Sequence, residues 1–105
     1  PSRETGRVMF RHCVLMRFKT DATDSQRATA LDRIRALSDI IPEVLALAVG
    51  TDAGLREGNF DLAVVADFEN PEMYAIYASH PAHLEMLSTV VKPILADRAA
   101  VQYEI

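Results

Sequence analysis

The alternation from Phe60 to Phe68 constrains this chain more than any other stretch. Phe60, Leu62, Val64, Ala66 and Phe68 share one parity, and Asp61, Ala63, Val65 and Asp67 share the other. The strand this predicts has one wholly apolar face and a second that is half apolar. The first run, Val8 to Lys19, is two-sided in the same way: Phe10, His12, Val14, Met16 and Phe18 oppose Met9, Arg11, Cys13, Leu15 and Arg17. Strands of this kind are covered on both sides, by helices on one and by something else on the other. At 105 residues, half of them hydrophobic, the length allows one small domain, and a domain of that size gains from a partner subunit.

Helices fill the intervals between strands. Thr23 with Gln26 three residues on forms a capping box, after which Leu31, Ile34, Leu37 and Ile41 recur at helical spacing up to Pro42. Val44 to Gly50 is a short apolar strand, and Thr51 to Asn59 a surface loop carrying Gly54 and Gly58. Asn70-Pro71-Glu72 supplies a cap, a first-position proline and a first-turn acid, which predicts a helix to about Ser79. Pro81 cannot continue that helix but can start another. His80 then becomes its cap, His83 falls in its first turn, and His83, Leu87, Val90 and Ile94 form its inward stripe up to a bend at Pro93. Val101, Tyr103 and Ile105 close the chain as a strand.

The resulting order, βαββαβ, with both crossover helices on one face, predicts an α+β fold of the ferredoxin-like sandwich type whose other sheet face is open. Two such antiparallel sheets packed face to face would bury Cys13, Leu15, Ala63 and Val65 in a symmetric homodimer, a dimeric α/β barrel. Residues 1–8 are expected to be a flexible leader and residues 9–105 the single domain, with Met9 a candidate biological start.

A net charge of −4 with scattered Lys and Arg offers no stripe for phosphates, so no nucleic acid is expected as a partner. No apolar run approaches the roughly 20 residues that cross a bilayer, so no membrane partner is expected either. One cysteine, Cys13, allows no intrachain disulfide, and with no signal-like start the expected location is cytoplasmic.

Several stretches resemble one family: Arg11-His12-Cys13-Val14-Leu15-Met16-Arg17-Phe18-Lys19, Ile40-Ile41-Pro42 followed by Gly50, Phe60 to Phe68, and above all Tyr77-Ala78-Ser79-His80-Pro81-Ala82-His83. Across Met9 to Ile105 the chain is similar to the stress-responsive A/B barrel domain (Dabb) family of dimeric α/β barrel proteins. The resemblance implies the same dimer. One plant branch of that family is a polyketide cyclase, which closes a poly-β-keto thioester by aldol condensation without a cofactor. Carried over residue by residue, the resemblance implies His83 as general base, Tyr77 as its hydroxyl partner and His12 as a polar wall of the pocket. The chain departs from that branch at Ala30, Leu31 and Ile34, where the cyclase has aromatic side chains, so its substrate does not follow. Metal in relatives is held by main-chain carbonyls, to which Ser38, Ile41 and Val44 would correspond.

Independently of the resemblance, proton abstraction next to a carbonyl needs a base near working pH, a donor for the enolate oxygen and a dry pocket. His83 at a helix start, where the dipole disfavours imidazolium, meets the first need, and the Tyr77 phenol the second. Against this, an isolated histidine at a helix–sheet junction reads first as a structural residue satisfied by a backbone carbonyl or a tyrosine hydroxyl, and the family resemblance brings the two readings level. His80 reads as a cap alone, and His12 as a residue of the first strand with Tyr103 its expected neighbour. Metal ligation by His12, His80 and His83 is not expected, since Cys13 lies on the opposite strand face and the rings need not converge. Haem is not expected either, because the related haem-degrading barrels rely on a tryptophan and this chain has none. Met73, Tyr74, Ile76 and Met86 read as core or dimer-edge residues. Two functions stay open: a cofactor-independent cyclase or isomerase acting through His83, and a non-catalytic stress-response protein or binder of a small apolar or aromatic ligand.

Overall fold

A computed structural model describes residues 8–105. The elements run β1 (Phe10–Phe18), α1 (Asp24–Ile40), β2 (Ala46–Thr51), β3 (Leu62–Phe68), α2 (Pro71–Ser79), α3 (Pro81–Met86) and β4 (Leu95–Glu104), with a π-helical turn (Leu87–Val91) and a 3-10 turn (Lys92–Ile94) between α3 and β4. The four strands form one antiparallel sheet in the order β2-β3-β1-β4. This is the α+β, ferredoxin-like arrangement expected from the sequence. The expected leader, residues 1–8, lies outside the described residues except for Val8, which is exposed.

Alternation sorts the sheet into an inner and an outer face. His12, Val14, Met16 and Phe18 of β1, with Leu62, Val64, Ala66 and Phe68 of β3, are buried against Ala30, Ile34 and Leu37 of α1 and Tyr77, Met86 and Val91 of the second helical segment. On the outer face Cys13 stands opposite Val65 and Val101, and Leu15 opposite Ala63 and Ala99. Leu15, Val101 and Tyr103 are exposed there, at 41%, 59% and 44%. On the same face Arg11 donates two hydrogen bonds to Asp67, at 2.7 and 2.9 Å, across the β1–β3 register.

Several boundaries move relative to the sequence reading. β3 begins at Leu62 rather than Phe60, although Asp61 N–H still donates to Met16 O at 2.9 Å; the Phe60 ring stacks under the Arg17 guanidinium instead, 4.3 Å from its centroid. β2 begins at Ala46 rather than Val44, because Val44 N–H turns back to Ile41 O. β4 is ten residues long and starts at Leu95. Its first half is poor in β-branched residues, and pairing along the whole of β1 makes it a strand.

The caps follow the sequence. Thr23 and Gln26 form the reciprocal box at α1, and Asn70 accepts from Met73 N–H at α2. The largest departure lies after Pro81. An α-helix running into Pro93 would press the proline ring on the carbonyl of Thr89. The chain widens into the π turn first, with Lys92 N–H donating to Leu87 O, then tightens into the 3-10 turn. The wider turn moves the inward stripe by one residue: Val91, 1% exposed, takes the position expected of Val90.

Candidate functional site

Between the helical segment and the inner sheet face lies a cavity of about 340 Å³. Its apolar wall includes Val14, Met16, Ile34, Val64, Met86, Leu87 and Val91. Of the three positions where the cyclase branch is aromatic, Ile34 lines this space; Ala30 is fully buried in the core and Leu31 lines a separate surface cleft beside Phe18. The polar wall consists of His12, Tyr74, Tyr77, His83, Lys92 and Arg98.

His80 and Pro81 bring His83 to this wall. His80 Nδ1 accepts from Ala82 N–H at 3.0 Å, which makes His80 the cap of α3 and turns the chain between α2 and α3. His83, two residues into α3 after Pro81, lies against Tyr77 with ring centroids 4.4 Å apart. Its Nδ1 is 3.0 Å from Ala78 O. A carbonyl only accepts, so Nδ1 carries the hydrogen and Nε2 keeps the lone pair. Burial, first of all, pushes the His83 pKa down from its usual value; the Ala78 carbonyl opposes this and the nearby His80 adds to it. The neutral ring expected from the helix dipole is therefore present, with desolvation as its main cause.

His12 has the opposite tautomer. Gln102 Nε2 lies 2.9 Å from its Nδ1. The amide nitrogen only donates, so Nδ1 accepts and the hydrogen sits on Nε2. His12 is 6% exposed, and burial, reinforced by the Arg98 charge and the influence of His83, pushes its pKa down to about 4. The expected neighbour Tyr103 is not beside it. Register puts Gln102 opposite His12 and Tyr103 opposite Arg11 on the outer face, because odd and even residues of β4 point to opposite sides.

Tyr77 is 3% exposed, and burial followed by the influence of Tyr74 pushes its phenol up to about 12. Its hydroxyl has no hydrogen-bond partner among the described residues, and Tyr77 lines the cavity. Tyr74 completes a file of rings: His12 to Tyr74 at 4.8 Å, Tyr74 to Tyr77 at 6.2 Å, Tyr77 to His83 at 4.4 Å. Phe68 supports it from the sheet, 5.6 Å from Tyr74 and 5.1 Å from Tyr77.

The structure thus brings His12, Tyr77 and His83 to one cavity, and His80 to the cap beside it. Tyr74, Lys92 and Arg98 were missed as lining residues. Tyr74 lies three residues before Tyr77 on α2, a helical spacing that signals a shared face. Lys92 and Arg98 had no such signal, since one follows the π turn and the other sits on the half of β4 that only pairing reveals. Among the described residues, no three His, Cys, Asp or Glu side chains gather as a metal site, and the Ile41 carbonyl near the end of α1 accepts from Val44 N–H. No helix among them is long and apolar enough to cross a membrane.

Solved structures share this architecture. A dimeric ferredoxin-like protein of unknown function from Thermobifida fusca is 36% identical, with a TM-score of 0.85 over 94% of this chain and 92% of that one. A dimeric ferredoxin-like protein of unknown function from Bacteroides fragilis is 24% identical, with a TM-score of 0.77 over 92% and 96%. The hydroxynitrile lyase of Passiflora edulis is 24% identical, with a TM-score of 0.83 over 92% and 93%, a likeness of fold. No curated protein matches the chain. The model of the stress responsive A/B barrel domain (Dabb) matches residues 10–105, nearly everything the structure describes. The chain belongs to the stress-responsive A/B barrel domain family.

Proposed function

We propose that this protein is a cofactor-independent enzyme of the cyclase or isomerase type, which removes a proton next to a carbonyl group of a small, largely apolar substrate. His83 Nε2 takes the proton, and the electron pair left behind moves onto the carbonyl oxygen. The Tyr77 phenol donates a hydrogen bond to that oxygen, and the His12 Nε2–H is a second donor on the far wall. The observation that carries this reading is the matched protonation of groups around one largely apolar cavity: a neutral imidazole with a free lone pair, and a phenol held protonated by its burial. An imidazole kept neutral is a usable base at ordinary pH, and a phenol pushed up to about 12 stays a donor there.

The assembly we propose is a homodimer formed through the outer sheet face. The exposed apolar set Leu15, Val101 and Tyr103, with Cys13, Ala63 and Val65, supports it, as do the dimeric relatives of the same fold.

A thermal-shift screen of small ketones and aromatic compounds on wild type and His83→Ala tests the site. We expect hits that the variant loses while it stays folded and dimeric. A variant that fails to fold would assign His83 a structural role. Ligands that bind without any His83-dependent reaction would make the protein a binder rather than an enzyme.

A further inference from the structure

Lys92 and Arg98 reach the cavity from different elements, Lys92 from the 3-10 turn and Arg98 from the inner face of β4, opposite Met16. Neither has an acidic partner among the described residues, where the ion pairs are Arg11–Asp67, Arg27–Asp61 and Arg33–Glu85. Among the described residues, no carboxylate lines the cavity. In a chain of net charge −4, the formal charges that the described residues bring to this cavity are thus both positive, carried by side chains of exposed residues at its mouth. Along the inner face, the successive pairs Met16/Arg98, Val14/Ala100 and His12/Gln102 place only the methyl of Ala100 between Arg98 and Gln102, so the guanidinium side of the cavity is continuous with the His12 end.

We infer that the ligand of this cavity is an organic anion, a keto acid whose carboxylate is held by Arg98 and Lys92 while its apolar body lies along Val14, Val64 and Leu87. Arg98 offers a planar two-hydrogen fork suited to a carboxylate, and Lys92 a movable point charge. About 340 Å³ sits at the low end of ligand cavities, so the molecule is small. The inference rests on the proposed function only for the carbonyl end of the ligand, which faces His83 and Tyr77. The carboxylate end rests on the two cations alone.

The test measures binding by calorimetry for a series of aryl and alkyl keto acids, beginning with β-benzoylpropionate, each beside its neutral methyl ester. We expect acids of the series to bind about tenfold or more tighter than their esters, a preference that shrinks with added salt. In Arg98→Gln the acid and ester should bind alike, and Lys92→Gln should lose part of the difference, with thermal melting of both variants near that of wild type. His83→Gln should keep the acid preference. No acid preference anywhere in the series, or a preference untouched in both cation variants, would overturn the inference. The outcome is separable from the base assignment. Acid preference without His83-dependent proton exchange sinks the enzyme and leaves the anion site, whereas exchange that is equal for acids and esters does the reverse.

Discussion

His83 and His12 are both kept neutral by burial, yet they present opposite ends of the imidazole: a lone pair on His83 Nε2 and a hydrogen on His12 Nε2. The difference comes from one partner each, a backbone carbonyl and a carboxamide. A stability prediction follows from His12. Between about 6.5, its ordinary value, and about 4 in the folded protein, the unfolded chain binds the extra proton. Stability therefore rises with pH across that window and is lost as pH falls from 6.5 through 4, by on the order of 2–3 kcal/mol. The downward shift of His83 acts with the same sign. Urea midpoints measured across the window should show this slope, and His12→Gln should flatten it; an unchanged slope in the variant would contradict the assignment. At this scale the sequence was informative about side chains that sit on a regular period. His12 shares parity with Val14 and Met16, and Tyr77 and His83 flank a proline junction whose geometry is stereotyped. Gln102 as the partner of His12 required the β1–β4 register, which no local pattern encodes.

α2 carries Tyr74 and Tyr77, and α3 carries His83, so the two junctions that start these helices position the site. Asn70 caps α2 through Met73 N–H at 2.9 Å. Asn70→Ala should cost about 1 kcal/mol, read as a lower urea midpoint at constant slope; no change would mean that α2 is held by packing alone. Phe68, fully buried and touching both tyrosine rings, should cost about 3–5 kcal/mol when replaced by Ala. The loss should appear in thermal unfolding, with tyrosine fluorescence changed in the folded state; a loss below about 1 kcal/mol would show that the ring file does not depend on its sheet support. Capping signals made α1, α2 and the Pro81 start legible, because caps are chemistry written in adjacent residues. The π turn was not, because it results from a conflict between the continuing apolar stripe and Pro93, and the stripe alone reads as a regular helix. The early half of β4 was missed for a related reason: Leu95 to Ala100 has no strong strand preference and is ordered by β1.

Among the described residues, the inner face makes the core and the cavity, while the outer face is an apolar sheet surface crossed by the Arg11–Asp67 ion pair. Val65 lies on that outer face opposite Cys13 and away from the cavity. Val65→Glu should yield a folded monomer in size exclusion with light scattering, since a charge on the proposed dimer face would be buried there without a partner; a variant that remains dimeric would move the interface elsewhere. The two-sided strands of the sequence anticipated the helical cover of one face and the apolar character of the other, because alternation reports which faces are apolar. It does not report which face holds a cavity, since a lined space and a filled core draw on the same side chains. The account turns on His83 acting as a base. Its most direct test is the exchange of the ketone α-hydrogens of β-benzoylpropionate for deuterium in heavy water, followed by proton NMR with wild type and His83→Gln. The account predicts exchange above the buffer rate that falls on the order of 100-fold or more in the variant, with size and melting unchanged. Equal exchange by the two proteins, or none by wild type above buffer, would contradict it.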